Sequence, residues 1–198
     1  MKYKTLFYLC LLAVTSFSSS AEELLKRKST EPELSCLNGP VKINNQSEFH
    51  LLFGDYTEED GTLKVISRKP LKIHVYAEVF SGDLPEVKDH LVKKALISNT
   101  YRAFAFSDIS MITVTSSAKE ISIGRGERGE NILKSPTYTI TKTREQALSD
   151  LRKLTNAKSF NDLFDKHQVC LFSPVFKQFL YDDQGGIGIT KFFNQVKK

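Results

Sequence analysis

Three groups of residues in this chain have types and spacings that could do chemistry: a glycine-rich run, four histidines and a set of cysteines. The run Gly124-Arg125-Gly126-Glu127-Arg128-Gly129 fits the pattern G-x-G-x-x-G. A pyrophosphate site needs a helix to begin there, so that its free backbone N–H groups meet the phosphates. Here residues 130–135 (ENILKS) reach only as far as Pro136, which opens a strand, and no βαβ unit follows. The run therefore reads as a flexible, charged hairpin loop, and no nucleotide or other cofactor is implied. Arg125 and Arg128 on that loop are the candidate binding residues, because a guanidinium fork grips a carboxylate or phosphate on a partner.

The histidines are His50, His74, His90 and His167. None stands in H-x-x-x-H or H-E-x-x-H spacing, so no metal site is expected. His90 follows Asp89 on the charged side of a helix, where a surface pair is the plain reading. His74 alternates onto the polar face of a strand and is the residue on which a dispersed hydrolase site would be built. There is no G-x-S-x-G elbow, and no catalytic residue is assigned. Asp182-Asp183-Gln184-Gly185-Gly186 lacks the alternating ligands and distal glutamate of a calcium loop and reads as a turn. Asn45-Gln46-Ser47 is a glycosylation sequon, meaningful only in a host that glycosylates exported chains.

The elements that must hold these residues follow from periodicity. Asp60-Gly61 suggests a hairpin between residues 49 and 67. Leu71 to Phe80 alternates strictly, with Ile73, Val75, Ala77 and Val79 on one side and His74, Tyr76 and Glu78 on the other, as a half-buried strand does. Ser81-Gly82-Asp83 ends that strand and offers a cap to the next helix. Apolar residues from Val87 to Phe106 recur every three or four positions, an amphipathic helix that lays one face on a sheet. Strands are expected at 109–115, 120–123 and 136–142. Thr143 and Gln146 form a capping box for a helix over 144–155, and Ser159 repeats the signal for a short helix to about residue 166. The phenylalanines of the tail read as core, and residues 190–196 as a terminal helix. The order points to an α+β domain: a mostly antiparallel sheet with a long amphipathic helix and shorter C-terminal helices packed on one face.

The chain has 198 residues, a net charge of +5, 40% hydrophobic and 26% charged residues. That apolar share excludes a disordered chain, and the length suits one domain. Lys2 and Lys4 precede an apolar run over residues 6–14, and Ser19 and Ala21 place small residues at the −3 and −1 positions of a cleavage site. This is the pattern of a secretory signal, and about nine apolar residues are too few to span a bilayer. The expected division is a signal peptide over 1–21, a polar leader over 22–35 and one domain over 36–198. Losing Lys2 and Lys4 lowers the charge to +3, too mild for a nucleic-acid partner. No later stretch is long and apolar enough to cross a membrane as a helix.

Cys10 leaves with the signal, so Cys36 and Cys170 remain. Without a C-x-x-C pair they suggest no redox enzyme. In an exported chain they suggest a disulfide. Closing nearly the whole domain, such a bridge is worth roughly 5 kcal/mol in chain entropy. The resulting expectation is an exported, periplasmic or secreted, non-enzymatic protein that binds another macromolecule, with a protein as partner. The alternative is a small secreted hydrolase with a dispersed His/carboxylate site.

Overall fold

The strict alternation of Leu71 to Phe80 is realised as the second strand of a four-stranded mixed sheet. A computed structural model describes residues 52–124, 127–165, 171–182 and 186–198, all within the unit Leu34–Lys198. The signal, the leader, the sequon, Arg125, Cys36 and Cys170 lie outside the described residues. The strands are β1 (Leu63–Arg68), β2 (Leu71–Phe80), β3 (Met111–Gly124) and β4 (Glu127–Thr143), in the order β1-β2-β3-β4. The pairings β1·β2 and β3·β4 are antiparallel, and β2·β3 is parallel. Parallel neighbours cannot be joined by a tight turn. The crossover is made by α1 (Pro85–Ala105), which packs on β2, β3 and β4. The expected α+β architecture holds, with this one parallel pair inside an otherwise antiparallel sheet.

Several local expectations change. Residues 52–53 are helical, so Asp60-Gly61 does not turn a hairpin. The Asp60 carboxylate instead accepts from the Thr62 N–H at 2.9 Å and the Thr62 hydroxyl at 2.6 Å. This side-chain turn competes with the hairpin geometry that the dipeptide otherwise favours. The first hairpin is β1–β2, which turns at Lys69-Pro70. The strands expected at 109–115 and 120–123 are one strand, β3. A bulge absorbs the interruption: Ser117 faces Thr137 while Lys119 faces Ile132, so β4 carries the surplus residues, Pro136 among them. Proline is tolerated at such a bulge in an edge strand.

Asp83 does not cap α1. It closes the preceding turn by accepting from the Phe80 N–H at 2.7 Å, and Leu84 stands at the N-cap without a side-chain bond, followed by Pro85. Proline suits that first helical position because it has no N–H to leave unpaired. The Thr143/Gln146 capping box forms as expected, and Ser159 stands at the expected N-cap. Thr143 accepts from Gln146 and opens α2 (Arg144–Leu154), while Ser159 and Asp162 open a 3-10 helix, Phe160–Leu163, which is shorter than the expected element. Then come α3 (Pro174–Lys177) and α4 (Ile189–Val196).

Amphipathicity describes only the first half of α1. From Ala95 to Ala105 every residue except Arg102 is buried, because the tail wraps its outer side. Phe104 stacks on Phe160, and Tyr101 lies among Phe160, Phe176 and Phe192. The tail phenylalanines Phe176, Phe179 and Phe192 are fully buried. An ion pair beneath them joins sheet to helices. Lys142 of β4 donates to Asp150 of α2 at 2.8 Å, and the other Asp150 oxygen accepts from Gln195 of α4 at 2.9 Å. The two charged side chains are only 10% and 7% exposed. Removing one member of a buried pair strands the other charge, at a cost of about 3–5 kcal/mol. Asp150→Ala is therefore expected to lower the free energy of unfolding by about that much in urea titration. A loss below about 1 kcal/mol would mean that water reaches the pair freely.

Candidate functional site

The helices gather on one side of the sheet, and the strand registers set out what the other side presents. Its near half is polar. Lys72 lies beside Thr113 and Thr141, His74 beside Lys64, Thr115 and Thr139, and Tyr76 beside Ser117 and Thr137. The hydroxyls pair across β3 and β4 at 2.9, 2.9 and 3.0 Å (Thr113–Thr141, Thr115–Thr139, Ser117–Thr137). Such cross-strand pairs stabilise a sheet by a few tenths of a kcal/mol to about 1 kcal/mol each. The far half mixes apolar and charged residues: Glu78, Lys119 and Ile132 in one row, Phe80, Ile121 and Glu130 in the next, Ile123 and Arg128 at the end. Phe80, Ile123 and Ile132 are 57%, 77% and 54% exposed.

Lys119 organises this half. Its side chain is 7% exposed, donates to the Asp60 carbonyl at 2.8 Å and pairs with Glu130 at 2.8 Å. It thereby ties the turn before β1 to β4 across two strands. The Lys119 hydrogen bond holds the Glu130 carboxyl below the usual carboxylate range. Arg128 continues the chain, with Nε on Glu130 and Nη2 on Glu78, both at 3.0 Å. Arg128 is thus a strand residue with two carboxylate partners, exposed enough (58%) that its pairs add little stability. The glycine-rich run is the β3–β4 hairpin: Gly124 faces Glu127, and a strand, not a helix, follows. That geometry supplies no row of helix N–H groups for a pyrophosphate.

His74 and Ser117 meet on the near half. The imidazole Nε2 and the Ser117 hydroxyl are 2.9 Å apart, and the ring stacks on Tyr76 with centroids 4.2 Å apart. Ser117 is only 3% exposed and also bonds Thr137, so its oxygen is closed to a substrate. The Asp89 carboxylate takes Lys93 at 2.6 Å and the Tyr138 hydroxyl, and His90 acts on it through charge besides. The Tyr138 hydroxyl is pushed up to about 12, first by that hydrogen bond and then by burial. Asp182 accepts from the Thr190 N–H and hydroxyl at 3.1 and 2.8 Å, fixing the start of α4. Among the described residues no three His, Cys, Asp or Glu side chains converge as metal ligands, and no helix is long and apolar enough to cross a membrane.

A second feature had no signal in the sequence. Between α1, residues 53–56 and the edge of β2 lies a cleft of about 210 Å³ that includes Leu91, Lys94, Ser98, Arg102 and Phe172. Arg102 donates from Nε to the Leu52 carbonyl at 3.0 Å. Its guanidinium lies 5.3–5.9 Å from the rings of Phe106, Phe164 and Phe172. Gly54, at φ +62°, rests against the same group, and a Cβ there would come within 3.5 Å of it. Comparison with known protein families, curated proteins and solved structures finds no match to this chain.

Burial, and then the Lys64 charge, holds the His74 imidazole below its ordinary value of 6.5. A histidine with a lowered folded pKa contributes stability that is full above 6.5 and is lost as pH falls through the folded value. An NMR titration of the His74 ring is expected to show a midpoint below 6.5, moved upward in Lys64→Met. A midpoint at or above 6.5 would contradict the geometry.

Proposed function

We propose that this protein is exported and acts without catalysis, by binding another protein in the cell envelope or outside the cell, as an inhibitor, immunity-type or accessory protein would. The observation that carries this reading is the far half of the open sheet face. There Phe80, Ile123 and Ile132 stand exposed among Glu78, Glu130 and Arg128, where no described helix covers them. Apolar anchors ringed by charge are the composition of protein interfaces. The charges already pair with one another, so they lend register and specificity more than affinity.

A hydrolase built on His74 draws on its contact with Ser117. That pair is unfavourable for nucleophilic catalysis, because the hydroxyl is buried and no carboxylate contact to the imidazole is found among the described residues.

The test uses the chain expressed in its native host with a photoreactive residue at position 123, or at 152 on the helical side as control. The mature chain is expected to begin at Glu22, with Cys36 and Cys170 alkylated only after reduction. One protein adduct is expected from position 123 and none from 152. An uncleaved chain with freely alkylated thiols would contradict export. Adducts absent at 123, or identical at both positions, would contradict the interface.

A further inference from the structure

The cleft beside α1 joins an unfinished strand edge to a lysine, Lys94, that no described carboxylate pairs. The edge belongs to β2. β1 pairs with β2 only up to Leu63 opposite Val75, and the Tyr76 N–H then goes to the Thr62 carbonyl. Alternate residues of a strand direct their backbone groups to opposite neighbours, so Glu78, two residues on, turns its N–H and C=O away from β3 and past the end of β1. The cleft is lined there by Ala77 and Glu78. No described residue continues the β1 ladder to that position.

The charge belongs to α1. Lys94, Ser98 and Arg102 follow at four-residue intervals and form one stripe along the helix. Arg102 is held by the Leu52 carbonyl and the aromatic rings, and Lys94 by the Tyr181 hydroxyl at 2.6 Å and the face of that ring. The Tyr181 hydroxyl is a neutral partner and leaves the lysine charge uncancelled. Of the acids at the cleft, Glu78 turns its carboxylate to Arg128 on the open face and Asp55 acts on Arg102, so the charge the cleft offers is that of Lys94. Phe53, Leu91 and Phe172 supply apolar wall.

We propose that this cleft receives the C-terminal end of a peptide chain. The terminal carboxylate lies against Lys94, the backbone pairs with Glu78 on the β2 edge, and the last side chain enters the space between Phe53, Leu91 and Phe172. Strand addition with capture of a terminal carboxylate is an established mode of peptide recognition. The cleft, at about 210 Å³, is smaller than a site for a drug-sized ligand and suits the end of a chain. The inference deepens the protein-partner reading and rests on it only for where the chain end comes from.

The test needs no native partner. Acetyl-Ala-Ala-Leu with a free carboxylate, the same peptide as its amide, and acetyl-leucine are titrated into the purified protein while backbone amides are followed by NMR. The free acid is expected to shift the Glu78 and Ser98 amides and to bind at least tenfold more tightly than the amide. Lys94→Met, which leaves the Arg102 packing in place, is expected to weaken the acid about fivefold. Equal binding of acid and amide, or an unmoved Glu78 amide, would overturn the proposal. Acetyl-leucine binding as tightly as the tripeptide would overturn the strand pairing and point to a small free carboxylate. None of these results bears on adducts formed from position 123, so failure here and failure of the partner reading are separable.

Discussion

The parallel pairing of β2 with β3 is the constraint on which the rest of the structure depends. Two parallel neighbours need a crossover, and the 21 residues of α1 provide it on one side of the sheet. Once α1 lies there, the cheapest apolar surface for the remaining chain is α1 itself. α2, the 3-10 helix, α3 and α4 gather around it, and its second half ends up buried on nearly every side. Among the described residues no helix packs on the opposite face, which the turn before β1 joins through Lys119. The asymmetry that makes an interface possible is thus a consequence of connectivity, not of any single residue.

That arrangement buries polar groups, and among the described residues most of them find partners locally, the Asn99 Oδ1 and Ser116 Oγ excepted. Asn99 and Thr100, buried in α1, donate back to the carbonyls of Ala95 and Leu96, the usual recourse of such residues inside a helix. Lys142 and Lys119, also buried, are each given a carboxylate and fixed geometry. The two lysines serve opposite sides: Lys142 holds α2 and, through Asp150, α4 against the sheet, while Lys119 ties the turn before β1 to the far strand across the open face. A buried ion pair contributes little net stability, although losing one partner is costly.

Local patterns were legible in the sequence wherever one residue type does one job. The alternation of β2, the Thr143/Gln146 box, the Ser159 cap and the long helix all follow from short-range patterns. Asp60-Gly61 misled because the Asp60 side chain bonds Thr62 and builds a different turn from the same dipeptide. The unity of β3 was hidden because Ser116 to Lys119 looks like a break when its bulged partner is unknown. Of the candidate site, the hairpin nature of the glycine run was readable. The pairing of Arg128 with Glu78, fifty residues away, was not. Nor was the cleft, whose stripe on α1 acquires meaning only beside the end of β1, a fact of register that no single segment contains.

The central claim is that no described helix covers the far half of one face of this sheet. Its most direct test is the accessibility of isoleucine methyl groups to a soluble paramagnetic probe, measured by NMR on the purified protein. The structure predicts strong relaxation of the Ile123 and Ile132 methyls, 77% and 54% exposed, and protection of Ile73 and Ile112 on the helical side, at 1% and 0%. Equal protection of all four would show that the face is already covered in the isolated protein and would contradict its availability to a partner.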